Sequence, residues 1–208
     1  MRVCIRSCVA LLMMSPVLLP AQQAPPPSPL PSGPTLSDED KANQLSEQVG
    51  KLMVKCVNLL TAQDPLSLDY CKQQRDLADQ YPPHQRLVDK MMAHDEYGIA
   101  LAAFDHKQEA LAEFDTEIGL VPKAVKPGSP EWSTAYWHRA MIYTQMGQNE
   151  KAEHDYHVAE ENLRKPLPTA DAAAVQKKRR AILRQHAALL EKEGKTEAAQ
   201  KLLAEAAR

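Results

Sequence analysis

The clearest pattern of hydrophobic and polar positions lies between Ser129 and Asn162. Apolar residues recur there every three or four positions, stop at Gly147 and then resume, which predicts two amphipathic helices joined by a tight turn. Ser129 can accept a hydrogen bond from the first turn of such a helix, and Pro130 suits its first position. The segment is therefore predicted to form an antiparallel helical hairpin.

Weaker copies of this hairpin pattern lie on both sides of it. In all three copies the turn residue stands five positions before a small residue, namely Asp105 before Ala110, Gly147 before Ala152 and Gly194 before Ala199. The copies are further apart than one hairpin requires. The proline-containing stretches 121–129 and 163–169 are therefore predicted to form longer connections.

Seven positions of the central hairpin carry large, small or turn-forming residues in a fixed order, namely Tyr136, Ala140, Tyr143, Gly147, Ala152, Tyr156 and Ala159. This series resembles the tetratricopeptide repeat, a two-helix motif. Two positions depart from it, because Arg139 stands where a leucine is usual and the closing proline is displaced to Pro166. The resemblance implies an all-α fold of antiparallel helix pairs, stacked as a short right-handed solenoid.

The periodicity over the whole chain predicts about eight helices. Their approximate ranges are 38–62, 66–81, 84–104, 107–120, 130–146, 149–163, 170–193 and 196–207. The three repeats are assigned to residues 91–122, 133–166 and 180–208. The preceding hairpin, residues 37–82, is interpreted as an additional pair that is either a degenerate repeat or unrelated to it. Residues 37–208 thus form one predicted repeat domain.

The first 21 residues combine Arg2 and Arg6 with an apolar run and end in Leu-Pro-Ala, a pattern typical of a secretory signal peptide cleaved after Ala21. The alternative is a membrane anchor, although the apolar run is shorter than the roughly 20 residues that a spanning helix needs. Residues 22–36 are rich in proline and predict an extended, disordered tether. We therefore expect an exported protein, periplasmic or extracellular, without a transmembrane span in its mature form.

Four cysteines are present, and Cys4 and Cys8 would be lost with the leader. A hairpin that turns midway between the other two, Cys56 and Cys71, sets them level on facing helices, where a disulfide is geometrically reasonable. An exported protein also meets an oxidising compartment. A disulfide is therefore predicted, with a pair of buried free thiols as the alternative.

Charge indicates little about a partner. Lys and Arg number 25 against 27 Asp and Glu, a formal net charge of −2, so the chain as a whole does not favour nucleic acid. The one basic run spans residues 177–180. On a helix, four successive charges spread around the axis, so we interpret the run as a solvated face.

The sequence lacks the motifs of common catalytic sites. A Gly-rich phosphate loop, a nucleophile elbow and an HExxH motif are all missing, so neither an enzyme nor a cofactor is expected. His154 and His157 stand three positions apart on a predicted helix and could form half of a metal site. No third ligand residue lies at a spacing in the sequence that is typical of such sites. An accessory or metal-responsive module using these histidines is the alternative function.

The resemblance also implies where a partner would bind. In tetratricopeptide repeats the first helix of each pair lines a concave surface, and the matching positions here are Asp95, Ile99, Trp137, Met141, Arg184 and Ala188. Trp137 and Met141 occupy the positions at which some family members clamp a terminal carboxylate, so that mode is disfavoured. The expected function is a non-enzymatic scaffold that binds a protein or peptide, with Trp137 either as an anchor for the partner or packed on a neighbouring helix.

Overall fold

The computed structural model describes residues 36–208, so the predicted leader and all but the last residue of the predicted tether lie outside the described residues. That part of the chain contains eight α-helices and no strand. Their bounds are α1 Asp38–Thr61, α2 Leu66–Ala78, α3 Leu87–Ala103, α4 Lys107–Ala124, α5 Pro130–Gln145, α6 Asn149–Arg164, α7 Ala172–Lys192 and α8 Thr196–Ala206. None of the eight is both long and apolar enough to cross a membrane. The predicted all-α fold with about eight helices is confirmed.

Consecutive helices pack in pairs, α1 with α2, α3 with α4, α5 with α6 and α7 with α8. The second helix of each pair also packs on the first helix of the next pair. In addition, the first helices contact one another in order, α1 with α3, α3 with α5 and α5 with α7. One side of this helical repeat is therefore built by first helices alone.

Side-chain caps fix three of the helix starts, those of α1, α5 and α7. The Ser37 hydroxyl accepts the Asp40 N–H at 3.1 Å, and the Ser129 hydroxyl accepts the Trp132 N–H at 3.2 Å. Pro130 occupies the first turn of α5, where its missing N–H costs no helical hydrogen bond. Both predicted helix starts are confirmed.

All four hairpin turns share one backbone geometry, although only two of them contain glycine. The residue with positive φ is Gln63 (55°), Asp105 (68°), Gly147 (70°) or Gly194 (77°). In each turn this residue donates its N–H to the carbonyl three positions back, and the next residue donates to the carbonyl five positions back. This is the Schellman pattern of a helix end. Gln63 shows that the first pair turns as the others do, which the sequence analysis did not predict.

The residue seven positions before each turn is small and buried. Gly98 occupies this position in α3, and a Cβ there would stand 2.7 Å from the Phe114 ring. In α5 the position is held by Ala140, which is fully buried in one core cluster with Ala152 and Tyr156. Small residues thus face large ones across the α3/α4 and α5/α6 pairs, as the periodicity predicted.

Cys56 holds the equivalent position in α1, seven residues before Gln63. It is bonded to Cys71 of α2 with an S–S distance of 2.10 Å and a Cα–Cα distance of 4.8 Å, so the predicted disulfide is confirmed. Buried residues of α2 follow the same spacing as those of α4: Ser67, Cys71, Gln74 and Ala78 match Ala110, Phe114, Glu117 and Val121. The first pair is therefore structurally equivalent to the next one, with a disulfide in place of the small-to-aromatic contact.

Three predicted helix bounds were wrong. The third helix begins at Leu87 rather than near residue 84, because His84 and Arg86 have positive φ values that a right-handed helix cannot contain. The fourth continues to Ala124 rather than stopping near residue 120. Pro122 lies in its last turns, yet Val121 is fully buried and its carbonyl accepts the Val125 N–H at 2.9 Å, so burial keeps this end helical. The second helix ends at Ala78, about three residues earlier than predicted.

The two long connections, between α4 and α5 and between α6 and α7, pack on each other. The Asn162 amide of α6 holds the first connection, because its oxygen accepts the Gly128 N–H at 2.6 Å and its nitrogen donates to the Ser129 carbonyl at 2.8 Å. Gly128 also accepts the Leu167 N–H at 3.0 Å. A Cβ on Gly128 would stand 2.6 Å from the Lys165 carbonyl oxygen, so only glycine fits this contact.

Candidate functional site

The surface built by the first helices contains all six predicted binding residues. They lie ten and six positions before each turn residue: Asp95 and Ile99 in α3, Trp137 and Met141 in α5, Arg184 and Ala188 in α7. We call this surface the inner groove. The same register places Met53 and Val57 of α1 on it, which the sequence analysis missed because it did not recognise Gln63 as the equivalent turn residue.

A cavity of about 210 Å³ lies between α3 and α5, and we call it the α3–α5 cavity. Ile99 and Met141 form part of its walls, and Phe114 of α4 closes its floor. His138 and Gln145 contribute the polar atoms. Two predicted residues from different repeats are thus brought to one apolar hollow.

A second cavity of about 360 Å³, the α5–α7 cavity, lies between the next two first helices. Ala188 and Gln185 of α7 line one wall and Tyr156 of α6 the floor. Met141 and Gln145 line this cavity as well as the α3–α5 cavity, so the two hollows are neighbours on either side of α5. Together they form a trough across three first helices.

A third hollow, of about 200 Å³, lies between α1 and α3 and includes Met53 and Met92. Its lining is more polar than that of the other two, because Gln74 of α2 and the charged Arg86 and Asp89 contribute to it. Each pair of neighbouring first helices therefore leaves a cavity, but the apolar lining is strongest around Met141.

Trp137 does not line either cavity beside Met141. Its ring is half-buried against the core cluster of α5, α6 and α7, and its indole N–H donates to the Gln185 side chain at 2.8 Å. Gln185 in turn lines the α5–α7 cavity. Trp137 therefore joins α5 to α7 and supports one wall of the trough.

Asp95 is held within the protein rather than offered to solvent. Its carboxylate lies 2.5 Å from His138 Nδ1, so α3 and α5 are joined across the groove. Beneath this pair lies Glu117 of α4, which is 2% exposed. Burial, followed by the nearby Asp95 carboxylate, raises the pKa of Glu117 well above its ordinary value, and Lys178 opposes that shift. The carboxylate of Asp95 is thus already engaged, whereas one oxygen of the buried Glu117 has no hydrogen-bond partner among the described residues.

The histidines of the alternative function lie on a different helix surface. His154 and His157 are both exposed on α6, and His154 Nδ1 is 3.2 Å from Asp155. Asp155 is buried and its carboxylate accepts hydrogen bonds from Arg139 at 2.6 and 2.9 Å. Within residues 36–208, no group of three or more His, Cys, Asp or Glu side chains is arranged to hold a metal ion.

Comparison with known proteins bears on the fold. No family model and no curated protein matches the chain. Among solved structures, the crystal structure of BtubC (BKLC) from P. vanneervenii is similar, with a TM-score of 0.57 and 13% sequence identity. The match covers 83% of this chain and 73% of that chain. At this identity the likeness shows a shared helical fold and nothing about activity.

Proposed function

We propose that this chain is an exported, non-enzymatic repeat protein of the tetratricopeptide type, and that it binds a segment of another protein in its inner groove. The observation that carries the proposal is the pair of cavities that share Met141 and Gln145. Side-by-side hollows with apolar walls fit successive side chains of one bound segment. Methionine also adapts its shape to varied apolar partners.

The tetratricopeptide assignment is supported by the equivalence of the four turns and by the spacing of small residues before them. It gives a reason for the binding surface to be the inner one, since that side is built by first helices alone. Export is supported by the Cys56–Cys71 bond, because disulfides persist in oxidising compartments.

A display library of random twelve-residue peptides tests the binding proposal directly. Peptides selected on the wild-type protein should lose at least tenfold in affinity for Met141→Lys, because one side chain contributes to both cavities. Leu66→Lys is the matched control: Leu66 is 54% exposed on α2 and lies outside the inner groove. Selected peptides that bind Met141→Lys as tightly as the wild type would refute this site.

A further inference from the structure

The basic run at residues 177–180, interpreted from the sequence as a solvated face, contains two residues that contact other helices and two that are exposed. Lys178 is half-buried and its ammonium donates to a backbone carbonyl at the start of α5 at 3.3 Å and to Thr134. Arg179 is paired with Glu205 of α8. The other two members, Lys177 and Arg180, remain exposed. Two residues of the run thus join α7 to α5 and α8, and the other two are accessible to solvent or to a partner.

The exposed half continues along α7 toward the groove. Lys177, Arg180 and Arg184 are spaced by three and four residues, which places them on one face of the helix. Ala188 follows on that face and lines the α5–α7 cavity. Within residues 36–208 none of the three basic side chains forms an ion pair. We call these three residues the basic row.

The surroundings of the basic row do not neutralise it. Lys192 adds another positive charge where it lines the same cavity, and Glu191 is the only acid of α7 near that end. Across the groove, Asp95 is engaged by His138. Glu205 of α8 is bonded to Arg179, and Glu131 of α5 acts electrostatically on Lys178. An unpaired positive row therefore leads into an apolar trough, in a chain whose net charge is −2.

We propose that the occupant of the inner groove is a protein segment with apolar side chains at one end and internal Asp or Glu side chains at the other. The apolar end fills the cavities beside Met141, and the carboxylates pair with the basic row. Arginine suits this role because its planar group binds carboxylates with two hydrogen bonds. This inference rests on the proposed function and specifies its partner.

Helix geometry sets the spacing within that segment. From Lys177 to Ala188 the helix rises by about 16 Å at 1.5 Å per residue. An extended chain covers about 3.3 Å per residue, so this distance equals about five residues. The acidic positions of the segment are therefore expected within about five residues of its apolar anchors when it binds extended.

Two matched peptide libraries test the inference on the full chain. Both carry the same randomised apolar half, joined to a half drawn from Asp and Glu in one library and from Asn and Gln in the other. We expect binders mainly from the acidic library. The variant Arg180→Gln/Arg184→Gln should weaken a selected acidic peptide at least tenfold in about 50 mM salt, and the loss should shrink in about 500 mM salt because the Debye length falls.

The matched control is Lys123→Gln/Lys126→Gln, which removes the same charge from exposed residues on α4 and the loop after it. It should change the affinity less than twofold. If amide peptides bind as well as acidic ones and ignore Arg180→Gln/Arg184→Gln while losing affinity for Met141→Lys, the acidic partner is wrong and the groove stands. If no peptide from either library depends on Met141, the proposed function itself fails. Tighter binding of a single-stranded DNA oligonucleotide through the basic row would replace the acidic segment with a nucleic acid and overturn the inference.

Discussion

The α1/α2 and α3/α4 pairs bring their helices together at the same position by different chemistry. Seven residues before the turn, α3 has Gly98 and α1 has Cys56. At the second buried position of the returning helix, α4 has Phe114 and α2 has Cys71. One pair fills the space between helices with an aromatic ring that only a glycine admits, and the other closes it with a covalent bond.

This difference separates what the two pairs share from what is particular to each of them. The requirement is a close approach of the two helices near the turn, and either solution meets it. The consequences for stability differ, because the α3/α4 contact depends on an absent Cβ whereas the α1/α2 contact depends on oxidation. Four predictions compare the contributions of the two pairs to the stability of the protein.

The largest expected effect follows loss of the disulfide. Replacing both cysteines, Cys56→Ala with Cys71→Ala, should lower the free energy of unfolding by about 3 kcal/mol, the chain-entropy value for a loop of this size. Urea unfolding followed by circular dichroism measures the change. The reduced wild-type protein should show a similar loss, and an unchanged midpoint in both would contradict the role assigned to the bond.

A smaller loss is expected from Gly98→Ala in the α3/α4 pair. The new Cβ would overlap the Phe114 ring, and overpacking of this kind costs about 1–3 kcal/mol. The matched control is Gly119→Ala in α4, where a Cβ meets nothing within 4 Å. That control should be stabilised by about 0.5–1 kcal/mol, because alanine loses less backbone freedom in a helix. Equal effects of the two substitutions on the unfolding midpoint would show that the contact is unimportant.

Exchanging the two solutions gives a third, smaller effect. The variant Cys56→Gly/Cys71→Phe installs the α3/α4 contact in the α1/α2 pair. It should be about 1 kcal/mol more stable than the double alanine variant, because burial of a phenylalanine outweighs the cost of a helical glycine. The same urea experiment compares them. A less stable exchange variant would mean that the α1/α2 pair is not a true repeat.

A fourth effect depends on pH and concerns the third buried position, where α4 has Glu117 and α2 has the neutral Gln74. The pKa of Glu117 is raised by burial and then by Asp95 of α3, itself bonded to His138 of α5, while Lys178 of α7 lowers it. The folded chain therefore holds this proton more tightly than the unfolded chain. The contribution of this protonated carboxyl to the free energy of unfolding is fully present below pH 4.5, the pKa of Glu117 in the unfolded chain. It is lost as the pH rises through the pKa of Glu117 in the folded chain.

Glu117→Gln removes this pH dependence. Relative to the wild type, the variant should gain stability as pH rises above 4.5, and the difference between the two should be constant below that pH. Urea unfolding over a pH series measures the difference. Gln74→Glu is the reciprocal variant and should acquire the same dependence in the α1/α2 pair. A difference between wild type and Glu117→Gln that is the same at every pH would contradict the assignment.

Much of the repeat could be predicted from the sequence because its signals are local. The helix starts at Ser37 and Ser129 and the turns at Asp105, Gly147 and Gly194 depend on residues close together in the chain. A turn midway between Cys56 and Cys71 was predicted too, but its equivalence to the other three was missed, because Gln63 is not a usual residue for positive φ. Its position seven residues after Cys56 was the signal that could have identified it.

The candidate site was predictable only as a set of positions. The register of the repeat assigned Ile99, Met141 and Ala188 to one surface, and the structure places them on the walls of two adjoining cavities. It assigned Trp137 to that surface as well, but the hydrogen bond to Gln185, from another repeat, turns that side chain toward α7. Such a contact has no counterpart in the local pattern.

The sequence by itself determined the helical class, the pairing of helices, the positions of the four turns and the pairing of Cys56 with Cys71. Each depends on periodicity or on residues within one hairpin. Only the tertiary structure decided that the first hairpin shares the turn geometry and burial spacing of the second, that Met141 is shared by two cavities and that the basic run is divided between buried contacts and an exposed row. Those outcomes depend on how one hairpin stacks on the next, which brings together side chains that are far apart in the chain.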